Sequence, residues 1–389
     1  MDAALDIAGI GQDIPHLLDR AALDALLIRA YQKHVSDICI QTGEPIIVSH
    51  YGRHHSVTKR TMGESELNQI VGFMYGSAGI ARLGSGEDLD FSHEVKISRH
   101  ERIRFRVNVS AGRSENGDGL QMSLRTIPST PIPLASMRLT PDILRGLFPD
   151  QGLVLIAGAT GSGKTTLLAS TVRQLLEQRD NEKVLTVESP IEFVHKGTYS
   201  WRSGNVCMQS EVGRHTMSFA SFVRGTLRRA PTTVMVGEMR DKETFGAGLE
   251  LGLAGARVYG TTHAKGVSET LRRVLTVFNA DERAGRMTDL LESLKMVLVQ
   301  RLIPSSDGKQ IAAREYLVFD DAVKGELYRA AAQSVEHLAL RTRELTKERG
   351  ETLLKSVTRL ADEGLIERRW VDVIALEAKM NIAVDQGMG

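Results

Sequence analysis

Apolar residues recur at helical spacing near the start of the chain. Leu23, Leu26, Leu27, Ala30 and Tyr31 fall on one face of a 3.6-residue repeat, so residues 17–31 predict an amphipathic helix. Short alternating segments punctuated by Gly and Pro follow at 37–41, 46–50 and 101–109. In the last of these, Ile103, Phe105, Val107 and Val109 point one way, while Arg102, Arg104, Arg106 and Asn108 point the other. This region reads as a small α+β domain. Beyond residue 133 the pattern changes to strand, loop and helix. Apolar runs at 153–157, 184–188, 233–237 and 257–262 are separated by longer helical segments, which predicts a mostly parallel sheet covered by helices. A last strand is expected at 311–319. A polar helical remainder follows, with Leu353, Leu354, Val357 and Leu360 on one face and Gly364 as its C-terminal cap.

The two patterns meet at Pro128-Ser-Thr-Pro-Ile-Pro133, where three prolines predict an extended, semi-rigid connector. The expected division is an N-terminal domain over 1–127, a linker over 128–136, a core over 137–335 and a C-terminal helical segment over 336–389. A chain of 389 residues is too long for one ordinary core. Lys and Arg number 49 against 48 Asp and Glu, a balance that gives no reason to expect nucleic acid or anionic lipid as the main partner. Cys39 and Cys207 are far apart with no CxxC, which argues against a disulfide framework or a structural zinc site and for two reduced, buried thiols. No apolar run reaches the length of a bilayer span. Residues 1–12 carry Asp2 and Asp6 and lack a basic stretch before an apolar one, so no signal peptide is expected and a cytoplasmic location is.

One motif carries most of the chemistry. Gly158, Ala159, Thr160, Gly161, Ser162, Gly163, Lys164 and Thr165 fit GxxxxGK[ST], between an expected strand and an expected helix, and together with Thr166 they are the expected nucleotide-binding residues. Glycines let backbone N–H groups turn inward around phosphates, and the helix N-terminus favours negative charge. Lys164 is placed to reach the β- and γ-phosphates of ATP and Thr165 to offer a hydroxyl to Mg²⁺. Val234-Met-Val-Gly-Glu238 is an apolar strand ending in one carboxylate, where a Walker B acid would sit beside the metal. Glu188 also ends an expected strand, and parallel strands deliver their C-terminal ends to one crevice. One of the two carboxylates could steady the metal while the other accepts a proton from the attacking water. His263 ends a further strand and could read the γ-phosphate, although a lone histidine is more often structural.

Taken in order, these elements resemble the PilT and secretion-traffic ATPases. TVESPIEFVH (186–195) resembles the family's acidic box, VMVGEMRD (234–241) its atypical Walker B, and GARVYGTTH (255–263) its His box. SDICIQTGEPI (36–46) and RFRVN (104–108) are similar to its PAS-like N-terminal domain. The resemblance implies a PAS-like α+β domain followed by a RecA-like ATPase core, and a homo-hexameric ring with ATP held between the two domains of each protomer. It further implies Glu188 as general base, Glu238 as the Walker B glutamate, His263 as sensor, and Arg104, Arg106 and Arg113 as arginines that approach the nucleotide on closure. A solvated basic face is the other reading of that arginine strand. Ser189, Ala256 and Cys39 depart from the family's usual Asp, His and His. YGSAGIARL (75–83), TLRRAP (226–231) and the segment 289–319 are most similar to the DotB-type ATPases of type IVB secretion and the TraJ ATPases of IncI-type conjugation. That branch implies partners in a membrane-embedded transfer channel, other cytoplasmic ATPases among them, and no sequence-specific nucleic-acid contact.

Overall fold

The computed structural model describes residues 7–385 except positions 8, 12, 13, 16, 100, 115, 116, 129 and 198. Most of residues 1–12 and Ser129 of the proline connector therefore lie outside the described residues. The chain separates into two compact units. The first comprises Met1–Thr130, Glu188–Val194 and Ser210–Met217; the second comprises Pro131–Val187, His195–Gln209 and Ser218–Gly389.

In the first unit, the strands β1 (Asp37–Gln41), β2 (Ile47–His50), β3 (Arg53–Ser56), β4 (Leu89–Lys96), β5 (Arg102–Ser114) and β6 (Gly117–Ile127) form an antiparallel sheet of order β3-β2-β1-β6-β5-β4. The first helix spans Arg20–Gln32, started by Asp19, whose carboxylate accepts the Ala22 amide. Leu23, Leu26, Leu27 and Ala30 are buried, while Tyr31 is exposed and lies off the apolar stripe. They pack in one core with Leu67, Ile70 and Val71 of helix Glu64–Met74 and with the inward strand residues Ile38, Ile40, Phe91, Phe105, Val107 and Leu124. The expected alternation holds for the apolar face of β5. Its polar face is mixed, because Arg104 is buried whereas Arg102 and Asn108 are exposed.

The second unit holds a seven-stranded sheet of order β13-β12-β7-β11-β10-β8-β9, built from β7 (Gly152–Ala157), β8 (Lys183–Glu188), β9 (Val206–Glu211), β10 (Thr233–Val236), β11 (Arg257–Thr262), β12 (Leu294–Pro304) and β13 (Gln310–Val318). The pairs β12–β7, β7–β11, β11–β10 and β10–β8 are parallel, and β13 closes one edge antiparallel to β12. The mixed α/β expectation stands. Every residue of β7, β10 and β11 is buried, as befits strands covered on both faces. Helix Lys164–Gln178 covers one face through Leu167, Leu168, Val172 and Leu175. At the C-terminal end, Val357 and Leu360 are buried with Ile303, Ala313, Ile366 and Ile374, with Leu353 and Leu354 half-buried beside them. Gly364 takes a positive φ of 71° just after that helix. Both cysteines are free and half-buried, less enclosed than expected.

The parallel registers align the strand ends. Thr262 pairs with Ala157, Val236 with Gly260, and Val187 with Val236. Residues 158, 237 and 263 therefore follow at the C-terminal ends of neighbouring strands.

Candidate functional site

Where β7 ends, the chain turns through Gly158 and Gly163 before helix Lys164–Gln178 begins. Gly158 has φ 148° and Gly163 φ 81°, conformations that side chains rarely adopt. Space forbids a side chain as well. A Cβ on Gly158 would fall 2.4 Å from the Gln300 carbonyl oxygen and 2.5 Å from Ser162 Oγ, and one on Gly163 would fall 2.9 Å from Gln300 Nε2. Gly163 is also the N-cap, and no side chain caps the first turn of this helix. The helices beginning at Pro141, Lys242 and Asp321 have Thr140, Asp241 and Asp320 in that place. Uncapped first-turn amides at a helix start are donors suited to an anion.

Lys164 is buried, and its ammonium donates to the carbonyl oxygens of Gly158 at 2.9 Å and Ala159 at 2.8 Å. Burial pulls its pKa down, and the carboxylate of Glu238 pulls it back up. Thr160 and Gly161 are exposed at the tip of the loop, while Thr165 and Thr166 are half-buried in the first helical turn. Ser162 is buried, with its carbonyl accepting a hydrogen bond from Gln300.

Glu238 sits two residues beyond β10. One oxygen lies 3.2 Å from His263 Nε2 and the other 3.1 Å from Arg240 Nε. The backbone around it is tied to β11: Thr261 donates its hydroxyl to the Gly237 carbonyl, and the Met239 amide donates to the Thr261 carbonyl at 2.7 Å. The second unit thus brings Lys164, Glu238 and His263 to one end of its sheet. Arg240 was missed by the sequence reading, although it stands two residues after the carboxylate it neutralises.

The remaining expected residues belong to the first unit. Glu188, at the end of β8, is buried, and its carbonyl accepts the Val212 amide at 2.9 Å. Arg104 donates to the carbonyl oxygens of Ile191 and Glu192, both at 2.7 Å. Burial lowers its pKa against the opposing pull of Glu94, Glu211, Glu188 and Glu192. Arg106 is half-exposed and pairs with Asp90, its Nε donating at 3.1 Å. Arg113 is exposed at the far end of β5, opposite Asp118. Glu211, fully buried, accepts the Ile191 amide at 3.0 Å and the Ser92 hydroxyl at 2.7 Å. It was also missed, and the composition of its segment gives no sign of a buried acid. The loop after Glu188 is therefore pinned by an arginine on its carbonyls and a glutamate on its amide.

A buried parallel strand, a glycine-rich turn with an inward lysine and an uncapped helix start together define a P-loop nucleotide-binding protein. The description "Type II/IV secretion system protein" covers residues 18–349 as a family match. The crystal structure of the Legionella pneumophila ATPase DotB is 41% identical, covers 94% of this chain and 98% of its own, and superposes with a TM-score of 0.89. The type IV pilus retractation ATPase PilT of Pseudomonas aeruginosa is 33% identical over 77% of this chain and 83% of its own length. The crystal structure of the pilus retraction motor PilT with bound ADP is 26% identical, covers 90% of this chain and 95% of its own, and gives a TM-score of 0.75. The chain belongs to the type II/IV secretion system protein family, and it is an ATP-hydrolysing enzyme. No described helix is long and apolar enough to cross a membrane.

Proposed function

We propose that this chain is the ATP-driven motor of a type IV secretion or conjugative DNA-transfer apparatus, working as a hexameric ring with a PAS-like and a RecA-like domain in each protomer. The likeness to the Legionella pneumophila ATPase DotB over 94% of the chain carries the reading. The glycine-rich loop and Lys164 bind the phosphates of ATP. Lys164 does so by exchanging the Gly158 and Ala159 carbonyls for phosphate oxygens, a swap that relieves the buried ammonium of neutral partners.

Among the described residues no group of three or more His, Cys, Asp or Glu could hold a metal ion. The Thr165 hydroxyl and the Glu238 carboxylate are nonetheless oxygen donors of the kind Mg²⁺ takes when substrate phosphates and water supply the rest. Such an ion would neutralise charge on the transferring phosphoryl group. Glu188 accepts the proton of the attacking water. His263 fixes one oxygen of Glu238 and reports on the γ-phosphate from there. Arg104, Arg106 and Arg113 stabilise the developing negative charge only after Arg104 leaves Ile191 and Glu192 and Arg106 leaves Asp90.

Its partners are the components of a membrane-embedded secretion or conjugation channel, including other cytoplasmic ATPases, at the cytoplasmic side of the inner membrane. A second reading, pilus retraction, is favoured by the 33% identity to PilT. Capture of membrane partners from the native host on a Glu188→Gln chain separates the two. Transfer-channel components support the proposal, and a set made only of pilus proteins overturns it. Absence of phosphate release from the unsubstituted ring would leave only an ATP-dependent assembly role.

A further inference from the structure

Gln300, on β12, touches the glycine-rich loop through its side chain and is almost fully buried. Its Nε2 donates to the Ser162 carbonyl at 2.8 Å, and its Oε1 accepts from Arg314 Nε at 2.9 Å. Gln300 and Arg314 are cross-strand partners of β12 and β13, so the sheet register itself sets this pair. Arg314 is in turn buried, and its backbone amide donates to Ser356 Oγ of helix Leu353–Asp362 at 3.0 Å. A buried amide side chain with both ends bonded has one orientation, because flipping it would oppose donor to donor and acceptor to acceptor.

The consequence lies in the peptide that Gln300 holds. A trans peptide is planar, so its N–H points opposite to its carbonyl. Among the described residues the cis peptide recorded is Ser189–Pro190, and the Ser162–Gly163 bond is trans. Anchoring the Ser162 carbonyl on Gln300 therefore aims the Gly163 N–H away from β12. The same contact explains why position 163 is closed to a side chain, since a Cβ there would press on Gln300 Nε2.

We propose that Gln300 is a positioning residue for ATP: it fixes the Ser162–Gly163 peptide so that the Gly163 amide faces the nucleotide phosphates, and Arg314 locks Gln300 in the orientation that does so. This rests on the reading of residues 158–165 as the phosphate site. The link also gives helix Leu353–Asp362, through Arg314, a mechanical connection to the phosphate loop.

The test compares the full chain with Gln300→Met, Gln300→Glu, Arg314→Met and Lys164→Ala variants, measuring ATP turnover and the affinity for a fluorescent ATP analogue. Losing one buried hydrogen bond to the loop corresponds to KM and Kd for ATP raised about tenfold in Gln300→Met. Gln300→Glu keeps the Arg314 partner but loses the donor, and the same rise is expected there. Arg314→Met should raise both values less, with kcat changing within about threefold in the two Gln300 variants and in Arg314→Met. KM does not depend on how much of the protein folds, so a poorly folding variant still reports. A role confined to fold stability would lower the yield of active protein and leave KM alone. KM and Kd within twofold of the unsubstituted chain in both Gln300 variants overturn the proposal, provided Lys164→Ala has lost nucleotide affinity. Should Lys164→Ala bind ATP normally, the phosphate site itself has been misassigned.

Discussion

The phosphate loop of the second unit and the arginine strand of the first both gather charge, but they satisfy it differently. Lys164 is held by two carbonyls of its own loop, neutral acceptors that a phosphate can replace. Arg104 is held by two carbonyls of a separate segment, which is itself pinned by Glu211, and it is 4% exposed. The first arrangement can be exchanged without breaking a second network, since only two carbonyls of one loop are given up. The second is already complete in the protein, so any part that Arg104 plays at a nucleotide must be preceded by breaking a finished network. The lesson is that a cation's role depends on what it must give up before it can act.

The largest expected effect tests the open half of that contrast. Lys164→Ala removes the one cation of the loop, and loss of a group that stabilises transferring charge costs roughly 10²–10³ in kcat. Phosphate release by the purified chain should fall by that factor while the melting temperature changes little, because deleting a buried ammonium offsets the loss of a donor to the Gly158 and Ala159 carbonyls. A large drop in melting temperature with turnover retained would mean that Lys164 is structural.

A second comparison sets one buried imidazole from each unit side by side. Burial pulls the pKa of His93 in the first unit and of His195 in the second from about 6.5 down to about 4, with Arg20 and Arg214 adding to the effect on His93. Both values are lower folded than unfolded, so between pH 6.5 and 4 the unfolded chain binds more protons. Stability is therefore full above pH 6.5 and falls as the pH drops toward 4. Melting temperatures taken every half unit from pH 7.5 to 4.5 should decline over this window, and a His93→Gln chain should decline less steeply. An identical slope in the variant would assign the acid sensitivity elsewhere.

What the residues disclosed in advance follows the same division. The strands at 37–41 and 257–262 were legible because short apolar runs between turn signals admit few other readings. β6 was not, because it opens on Gly117-Asp-Gly119, a turn signal that obscures the alternation of Leu120, Met122 and Leu124. β12 follows helix Arg283–Ser293 with no intervening turn, so its apolar run reads as a continuation of that helix. Without β12 and β13 paired, Gln300 and Arg314 have no reason to be considered together. The positions of Lys164 at a helix start and of Glu238 just past a strand were legible, since each follows an apolar run and a glycine-containing turn. Arg104 was placed on a polar face by alternation, and the acceptors that bury it come from a segment almost ninety residues away in sequence.

Arg104 and Arg106 sharpen the contrast within a single strand. Arg104→Met retains the volume of the side-chain stem but strands the Ile191 and Glu192 carbonyls, a cost of about 1–3 kcal/mol for buried acceptors left unbonded. A lowered denaturation midpoint measures it, and an unchanged midpoint would mean the contacts are not made in solution.

Arg106→Ala is the smallest change expected. Its pair with Asp90 is partly exposed, and such pairs contribute about 0–1 kcal/mol once screening and side-chain entropy are counted. The denaturation midpoint should therefore barely move and should do so less at 0.5 M salt than at low salt, a condition under which about 10 Å screening lengths shrink further. Turnover is the more telling readout. If Arg106 serves only Asp90, kcat follows stability and stays near normal. If it also reaches the nucleotide, kcat falls with the midpoint unmoved, and Asp90→Asn, which frees the guanidinium without deleting it, preserves kcat. A loss of stability in Arg106→Ala as large as that in Arg104→Met would erase the distinction between a replaceable ion pair and a finished network on which the comparison of the two units is built.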